Sequence, residues 1–262
     1  MRLRSSGFIG LVTTMVIVTA GCTSGGAAPS GASTSTTVPV ATAKAEGAAT
    51  VNLGDGVIAA LPKGTLYVQF NALPQPGAGT LTHAHIGGFV YGLEGTTDLV
   101  IGAETKSLKP AEAAFVGADA VHTHNNLGAT ANLWYYISIR PNAARTAAAI
   151  FPGQKEFFAG PDLASLPDGA YSLGLRRVTI QPNGRTAAHK HAGLETIAVL
   201  EGTVELHIQG TAIRTLKAGE GASISADTPL QVWNKGTTPA KFLAFFVTAE
   251  GTTFSTDVET AP

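Results

Sequence analysis

The sequence predicts an all-β fold, a sandwich or a barrel, used twice along one chain of 262 residues. Two observations point to strands and a third to the duplication. Segments of five to seven residues alternate or run apolar, as in Thr65-Leu66-Tyr67-Val68-Gln69-Phe70, Val204-Glu205-Leu206-His207-Ile208 and Lys241-Phe242-Leu243-Ala244-Phe245-Phe246-Val247. Turn signals such as Pro182-Asn183-Gly184 stand between them, and helical periodicity is scarce. The two halves also repeat each other at an offset of 106 to 108 residues.

The repeat is carried by landmarks kept in order. His83-Ala84-His85 answers His189-Lys190-His191, Leu93-Glu94-Gly95 answers Leu200-Glu201-Gly202, and Ala111-Glu112 answers Gly219-Glu220. Ala118-Asp119 and Asn126 answer Ala226-Asp227 and Asn234. A period this long marks two domains of one fold, not a solenoid.

In chain order, Arg2 and Arg4 precede an apolar run from Phe8 to Ala20 that is short for a bilayer span. Thr19-Ala20-Gly21 leads into Cys22, the only cysteine, so residues 1–21 resemble a bacterial lipoprotein signal peptide with lipid placed on Cys22. Thr19 stands where that pattern usually has Leu, Val or Ile. An ordinary secretory signal is the alternative, and either exports the chain. Residues 22–50 are Ser, Thr, Gly, Ala and Pro with few large apolar side chains, which predicts a disordered tether. The first barrel is expected over 51–140 and a connection over 141–169, with one short helix within 143–150 and Phe157 and Phe158 packed on a barrel. The second barrel is expected over 170–250, followed by a tail over 251–262.

Composition narrows the partners. A lone cysteine excludes an internal disulfide, while 44% hydrophobic residues suffice for compact cores. The net charge is −1, or −3 without Arg2 and Arg4 (15 Lys and Arg against 18 Asp and Glu), which disfavours nucleic acid. The expected partners are a small molecule and, through lipid alone, a membrane.

Six of the seven histidines fall in the repeated landmarks or, as His122 and His124 do, between Asp119 and Asn126. On a strand, residues two apart share a face, so His189 and His191 project together, and Glu195 keeps that parity. Two imidazoles and a carboxylate on one side of a cation suit Fe(II) or Mn(II). In the first half His83 and His85 pair in the same way. His124, two residues after His122, is either an acid/base or supporting group in that pocket or polar filling at the barrel mouth.

His189-x-His191-x3-Glu195-x6-Gly202 resembles the first motif of the cupins, metal-binding β-barrels of double-stranded β-helix or jelly-roll form, and Gly219-x5-Ser225-x-Asp227-x2-Leu230-x3-Asn234 follows the spacing of their second. The resemblance runs from about Val51 to Ala249 and implies two tandem cupin barrels. It implies His189, His191 and Glu195 as ligands in the second, where Leu230 replaces the usual histidine. In the first it implies His83, His85 and His122, with Phe89 or Gly88 at the glutamate position. Three imidazoles also accept Zn(II) or Ni(II). Family members pair through sheet edges, so a homo-oligomer is compatible with the sequence.

Three functions follow as expectations. One is an oxygen-dependent, dioxygenase-type enzyme similar to the flavonol-cleaving bicupins, working in either barrel, with His124 handling protons in the first. The others are an envelope lipoprotein that binds a small ligand or metal without turnover, and a scaffold with relic sites. Incomplete duplicate sites weigh against the oxalate-degrading type. Arg176 shares parity with Val178 and Ile180 and is a candidate for a substrate carboxylate; Arg177 competes for that role, and a solvated strand pair is the simpler alternative. His207, beside inward Leu206 and Ile208, is left out of the metal sites. Trp134, Tyr135 and Tyr136 are expected in the core or the domain interface, with a pocket wall as the alternative.

Overall fold

The computed structural model describes residues 43–149, 152–163, 166–259 and 262. Cys22, the signal segment and most of the expected tether lie outside them. The described residues form nineteen strands and one short 3-10 helix. In the first half these are β1 (Glu46–Ile58), β2 (Leu66–Gln75), β3 (Thr80–His83), β4 (Gly88–Glu94), β5 (Thr97–Ile101), β6 (Glu104–Leu108), β7 (Ala113–Val116), β8 (His122–Asn125) and β9 (Asn132–Pro141). β10 (Lys155–Ala159) lies in the connection. The second half has β11 (Tyr171–Arg185), β12 (His189–His191), β13 (Leu194–Glu201), β14 (Thr203–Ile208), β15 (Arg214–Lys217), β16 (Gly221–Ile224), β17 (Leu230–Trp233), β18 (Ala240–Ala249) and β19 (Ser255–Asp257).

The first barrel is built from two antiparallel sheets, ordered β10-β2-β9-β4-β7 and β3-β8-β5-β6. The second is one sheet, ordered β15-β14-β17-β11-β18-β13-β16. Its β11 meets β17 only where Arg185 faces Trp233, at the corner where the sheet folds over.

Strand alternation sends side chains to three cores. Leu73, Val90, Trp134 and Tyr136 fill the first barrel, and Val178, Ile197, Leu206 and Phe242 fill the second. The remaining residues of the same strands, including Phe89, Ile137, Leu173, Leu243 and Phe245, form one core shared by both barrels. β9 and β18 are therefore buried on both faces, which is why both read as nearly continuous apolar runs. Trp134 and Tyr136 turn inward while Tyr135 joins the shared core.

The duplicated landmarks perform duplicated tasks. Asn126 is buried and its amide donates to the Thr130 carbonyl at 2.8 Å and the Gln75 carbonyl at 3.1 Å; Asn234 does the same with Thr238 at 2.8 Å and Ile180 at 2.9 Å. Asp119 and Asp227 both take the left-handed conformation. Their N–H groups donate to the carbonyls of His85 at 2.9 Å and His191 at 2.7 Å.

Four sequence expectations are corrected. β1 begins at Glu46, inside the expected tether, and runs antiparallel along β11 of the second barrel instead of opening the first. β10, expected as connection, adds an edge to the first barrel through β2. Alternation marks a strand but not its neighbour, so neither exchange is visible in composition. Pro182-Asn183-Gly184 does not reverse the chain. It is a bulge in β11, where the register on β1 jumps from Ile180 to Arg185 and Asn183 has φ 60°. The expected helix is a 3-10 turn over Asn142–Thr146, because Ala147 is already extended.

Candidate metal centres

In the second barrel His189 and His191 share a face of β12, and the chain turns at Gly193 into β13 so that Glu195 falls beside them. Only glycine fits at 193, where a Cβ would lie 2.2 Å from the Val247 carbonyl oxygen. Donor atoms of His189, His191 and Glu195 lie within 4.8 Å of one another, and His191 Nε2 is 3.6 Å from Glu195 Oε2.

His189 Nδ1 donates to the Ala187 carbonyl at 2.8 Å and His191 Nδ1 to the Phe254 carbonyl at 3.0 Å. Each Nε2 is thereby left as the acceptor nitrogen. His191 Nε2 and Glu195 Oε2 are buried without hydrogen-bond partners. Burying such groups unpaired costs free energy, which a bound cation would offset. Two imidazole lone pairs and a carboxylate oxygen brought together, with His191 and Glu195 buried and His189 half-buried, therefore fit a divalent transition metal. Burial alone pushes the Glu195 carboxyl up to about 8. Burial, reinforced by neighbouring His189, lowers His191 to about 4.

This cluster opens on a cavity of about 310 Å³ walled by Val178, Val232, Phe242, Phe246 and Phe254. Arg176 also lines it and is held at 2.7 Å by Asp55. Arg177 points elsewhere, donating to the Ala111 carbonyl at 3.2 Å.

In the first barrel β3 and β8 pair with His83 opposite His122 and Leu81 opposite His124. Donor atoms of His83, His122 and His124 lie within 4.8 Å of one another. The sequence drew its ligands as His83, His85 and His122; the structure draws His124 into that cluster and sets His85 beside it, with ring centroids 4.6 Å from His122 and 5.1 Å from His83. His85 Nδ1 lies 2.8 Å from the Ile86 carbonyl and 2.7 Å from the Tyr136 hydroxyl. His122 Nδ1 donates to the Ala120 carbonyl at 2.8 Å. The Nε2 atoms of His85 and His122 and both nitrogens of His124 are buried without hydrogen-bond partners.

Burial and neighbouring imidazoles, chiefly His122, lower His83 to about 4, His85 to about 3 and His124 to about 2. These rings are neutral near pH 7, the form that ligates. Aromatic rings occupy the adjoining space. Trp134 stacks on His124 with centroids 4.0 Å apart and planes at 4°, and Tyr136 covers His85 at 3.9 Å. The cavity here is about 230 Å³ and includes Asn71, Arg140 and Tyr136 with His83 and His85.

Register settles the glutamate position. Glu195 faces Phe246 and Ile224, and Gly88 faces Ser138 and Val116, the positions 108 residues earlier. Gly88 is thus the counterpart of Glu195, and Phe89 points into the shared core. His207 lies apart from both clusters, against Glu205 and Trp233. Sequence reasoning missed Phe254 and β19, which have no counterpart among the described residues of the first half.

Residues 176–246 match the cupin domain family. No curated protein sequence matches the chain. Among solved structures it is similar to AerE from Microcystis aeruginosa, at 14% identity over 78% of this chain and 99% of that one, with a TM-score of 0.50. It is also similar to the oxalate decarboxylase of Bacillus subtilis, at 13% identity over 80% and 79% with a TM-score of 0.50. A third is the salicylate 1,2-dioxygenase of Pseudaminobacter salicylatoxidans, at 12% over 68% and 70% with a TM-score of 0.47. At these identities the likeness is one of fold.

Proposed function

We propose that this chain is a cell-envelope metalloprotein whose second barrel holds a divalent transition metal on His189, His191 and Glu195. Its activity is an oxygen-dependent, dioxygenase-type oxidation of a small organic molecule. Fe(II) and Mn(II) suit the mixed imidazole and carboxylate set better than Zn(II) or Ni(II). The carrying observation is that three donors, two of them buried, meet in the wall of a largely apolar cavity of about 310 Å³. The oxalate decarboxylase of similar fold has Mn(II) centres, which agrees with such a donor set in this architecture.

A metal bound there would supply open positions for substrate and oxygen together with Lewis acidity. The chain's own residues do the rest. The Ala187 and Phe254 carbonyls fix the two imidazoles, Phe242, Phe246 and Phe254 exclude water, and Arg176 offers a cation to a substrate carboxylate. The first barrel reads as a second metal position drawn from His83, His85, His122 and His124. Trp134 and Tyr136 leave it less room for substrate, so turnover is assigned to the second barrel.

Export and lipid attachment at Cys22 would hold the protein on the outer face of the bacterial membrane, and without lipid it would be secreted. Labelling with palmitate, lost in Cys22→Ser, tests this. The activity is tested by oxygen uptake of Fe(II)- or Mn(II)-loaded protein over a panel of small aromatic and aliphatic carboxylic acids and flavonols. Uptake should depend on substrate and vanish in His189→Ala with His191→Ala. Metal binding with no turnover across the panel would favour a ligand-binding lipoprotein, and no metal in either barrel a scaffold.

A further inference from the structure

β12 carries two of the three second-barrel ligands yet has only three residues. It pairs with β17 through His189 opposite Leu230 alone. With β19 it pairs over its whole length, His189 opposite Asp257, Lys190 opposite Thr256 and His191 opposite Ser255. The first barrel has no such dependence, since β3 pairs with β8 along all of Thr80–His83. A three-residue strand held at one position frays readily, so the order of His189 and His191 rests on residues after β18.

The same segment reaches the site in three other ways. The Phe254 carbonyl accepts from His191 Nδ1 at 3.0 Å and so fixes which nitrogen faces the cluster. The Phe254 ring lies 4.9 Å from the His191 ring and 4.8 Å from Phe246, with the Arg176 guanidinium 5.4 Å from its centroid. Val258 N–H donates to the Ala188 carbonyl at 3.0 Å, while Ala188 N–H donates to the Ala43 carbonyl at 2.7 Å, so the residue before His189 is clasped from both sides. Phe254, Ser255 and Asp257 all line the cavity. None of this segment falls within the matched cupin domain at 176–246.

We propose that residues 250–258 form a strap that positions the second-barrel metal site, with Phe254 as its positioning residue and the wall between cavity and solvent. This rests on reading His189, His191 and Glu195 as the ligands there. The strap acts on the metal through His191, in the way outer partners of metal-bound histidines commonly change affinity by about 10- to 100-fold. It sets the two barrels apart, since the first keeps His83, His122 and His124 on β3 and β8, which pair with each other.

The test is Mn(II) competition titration of the full chain and of a form lacking residues 253–262, each also carrying His83→Ala with His122→Ala to isolate the second site. The deletion should weaken second-site Mn(II) binding by about 10- to 100-fold, while in a parallel pair carrying His189→Ala with His191→Ala instead it should leave first-site binding unchanged, a separation that general destabilisation would not produce. Second-site affinity within twofold of the parent, in a deletion with unchanged circular dichroism, overturns the proposal. A measurement on the unaltered protein guards against misfolding. By reciprocal linkage, saturating Mn(II) should slow amide exchange at 255–258 by at least about tenfold, and unchanged exchange overturns the strap. An intact chain whose second barrel binds no Mn(II) overturns the proposed function itself, and shows it before any deletion is made.

Discussion

Glu195→Gln should make the metal-stripped protein more stable while destroying its second metal site. Glu195 is 3% exposed, and burial raises its carboxyl from 4.5 to about 8. An acid raised on folding stabilises the fold fully below its unfolded value and loses that stability as pH rises to the folded value. For Glu195 the loss runs from about pH 4.5 to about pH 8. At pH 7 it amounts to about 3 kcal/mol, at about 1.4 kcal/mol per pH unit. Gln keeps the shape and the neutral state, so the variant should melt about 6–12 °C higher at pH 7 and equal the parent near pH 4.5. The assay is thermal unfolding of chelator-treated protein between pH 4.5 and 8, repeated with Mn(II), which should raise the parent's second-site stability but not the variant's. A variant no more stable at pH 7, or a difference independent of pH, would refute the reasoning that Glu195 is a buried carboxylate awaiting a cation.

The first barrel should behave as an independent site: His83→Ala with His122→Ala should remove its metal, measured by elemental analysis, and leave the second barrel's content unchanged. Metal-stripped protein should also lose stability in mild acid. His83, His85, His124 and His191 are lowered by burial, so the unfolded chain takes up protons near pH 6.5 while the folded one does not until about pH 4 or below. Fully buried His124 alone should cost about 2 kcal/mol at pH 5, read as a falling denaturation midpoint. Leu230→His should tighten Mn(II) binding in the second barrel, because Leu230 is buried directly opposite His189; unchanged or weaker affinity would count against the placement of the site.

Much of the second site was legible because strand parity is a rigid rule. His189, His191 and Glu195 keep one face through a corner that glycine at 193 permits, so their spacing predicted their meeting. The paired Asn126 and Asn234 and the paired left-handed Asp119 and Asp227 were legible as landmarks, and the structure shows each pair locking the same turn. The first site was less legible, since four histidines at matching parity leave open which three converge, and only the register of β3 on β8 sets His83 opposite His122 and within reach of His124. Partner choice between strands was not legible at all. β1 and β10 alternate like any strand, and nothing in their side chains says which barrel completes them. The role of Phe254 was invisible for a different reason, since its decisive group is a backbone carbonyl, which every residue carries.

The central claim is tested most directly by anomalous scattering at the manganese edge from crystals of the intact chain grown with Mn(II). The account predicts a peak among His189 Nε2, His191 Nε2 and the Glu195 carboxylate. No peak there in Mn(II)-saturated crystals, or manganese held in the second barrel by other side chains, would contradict it.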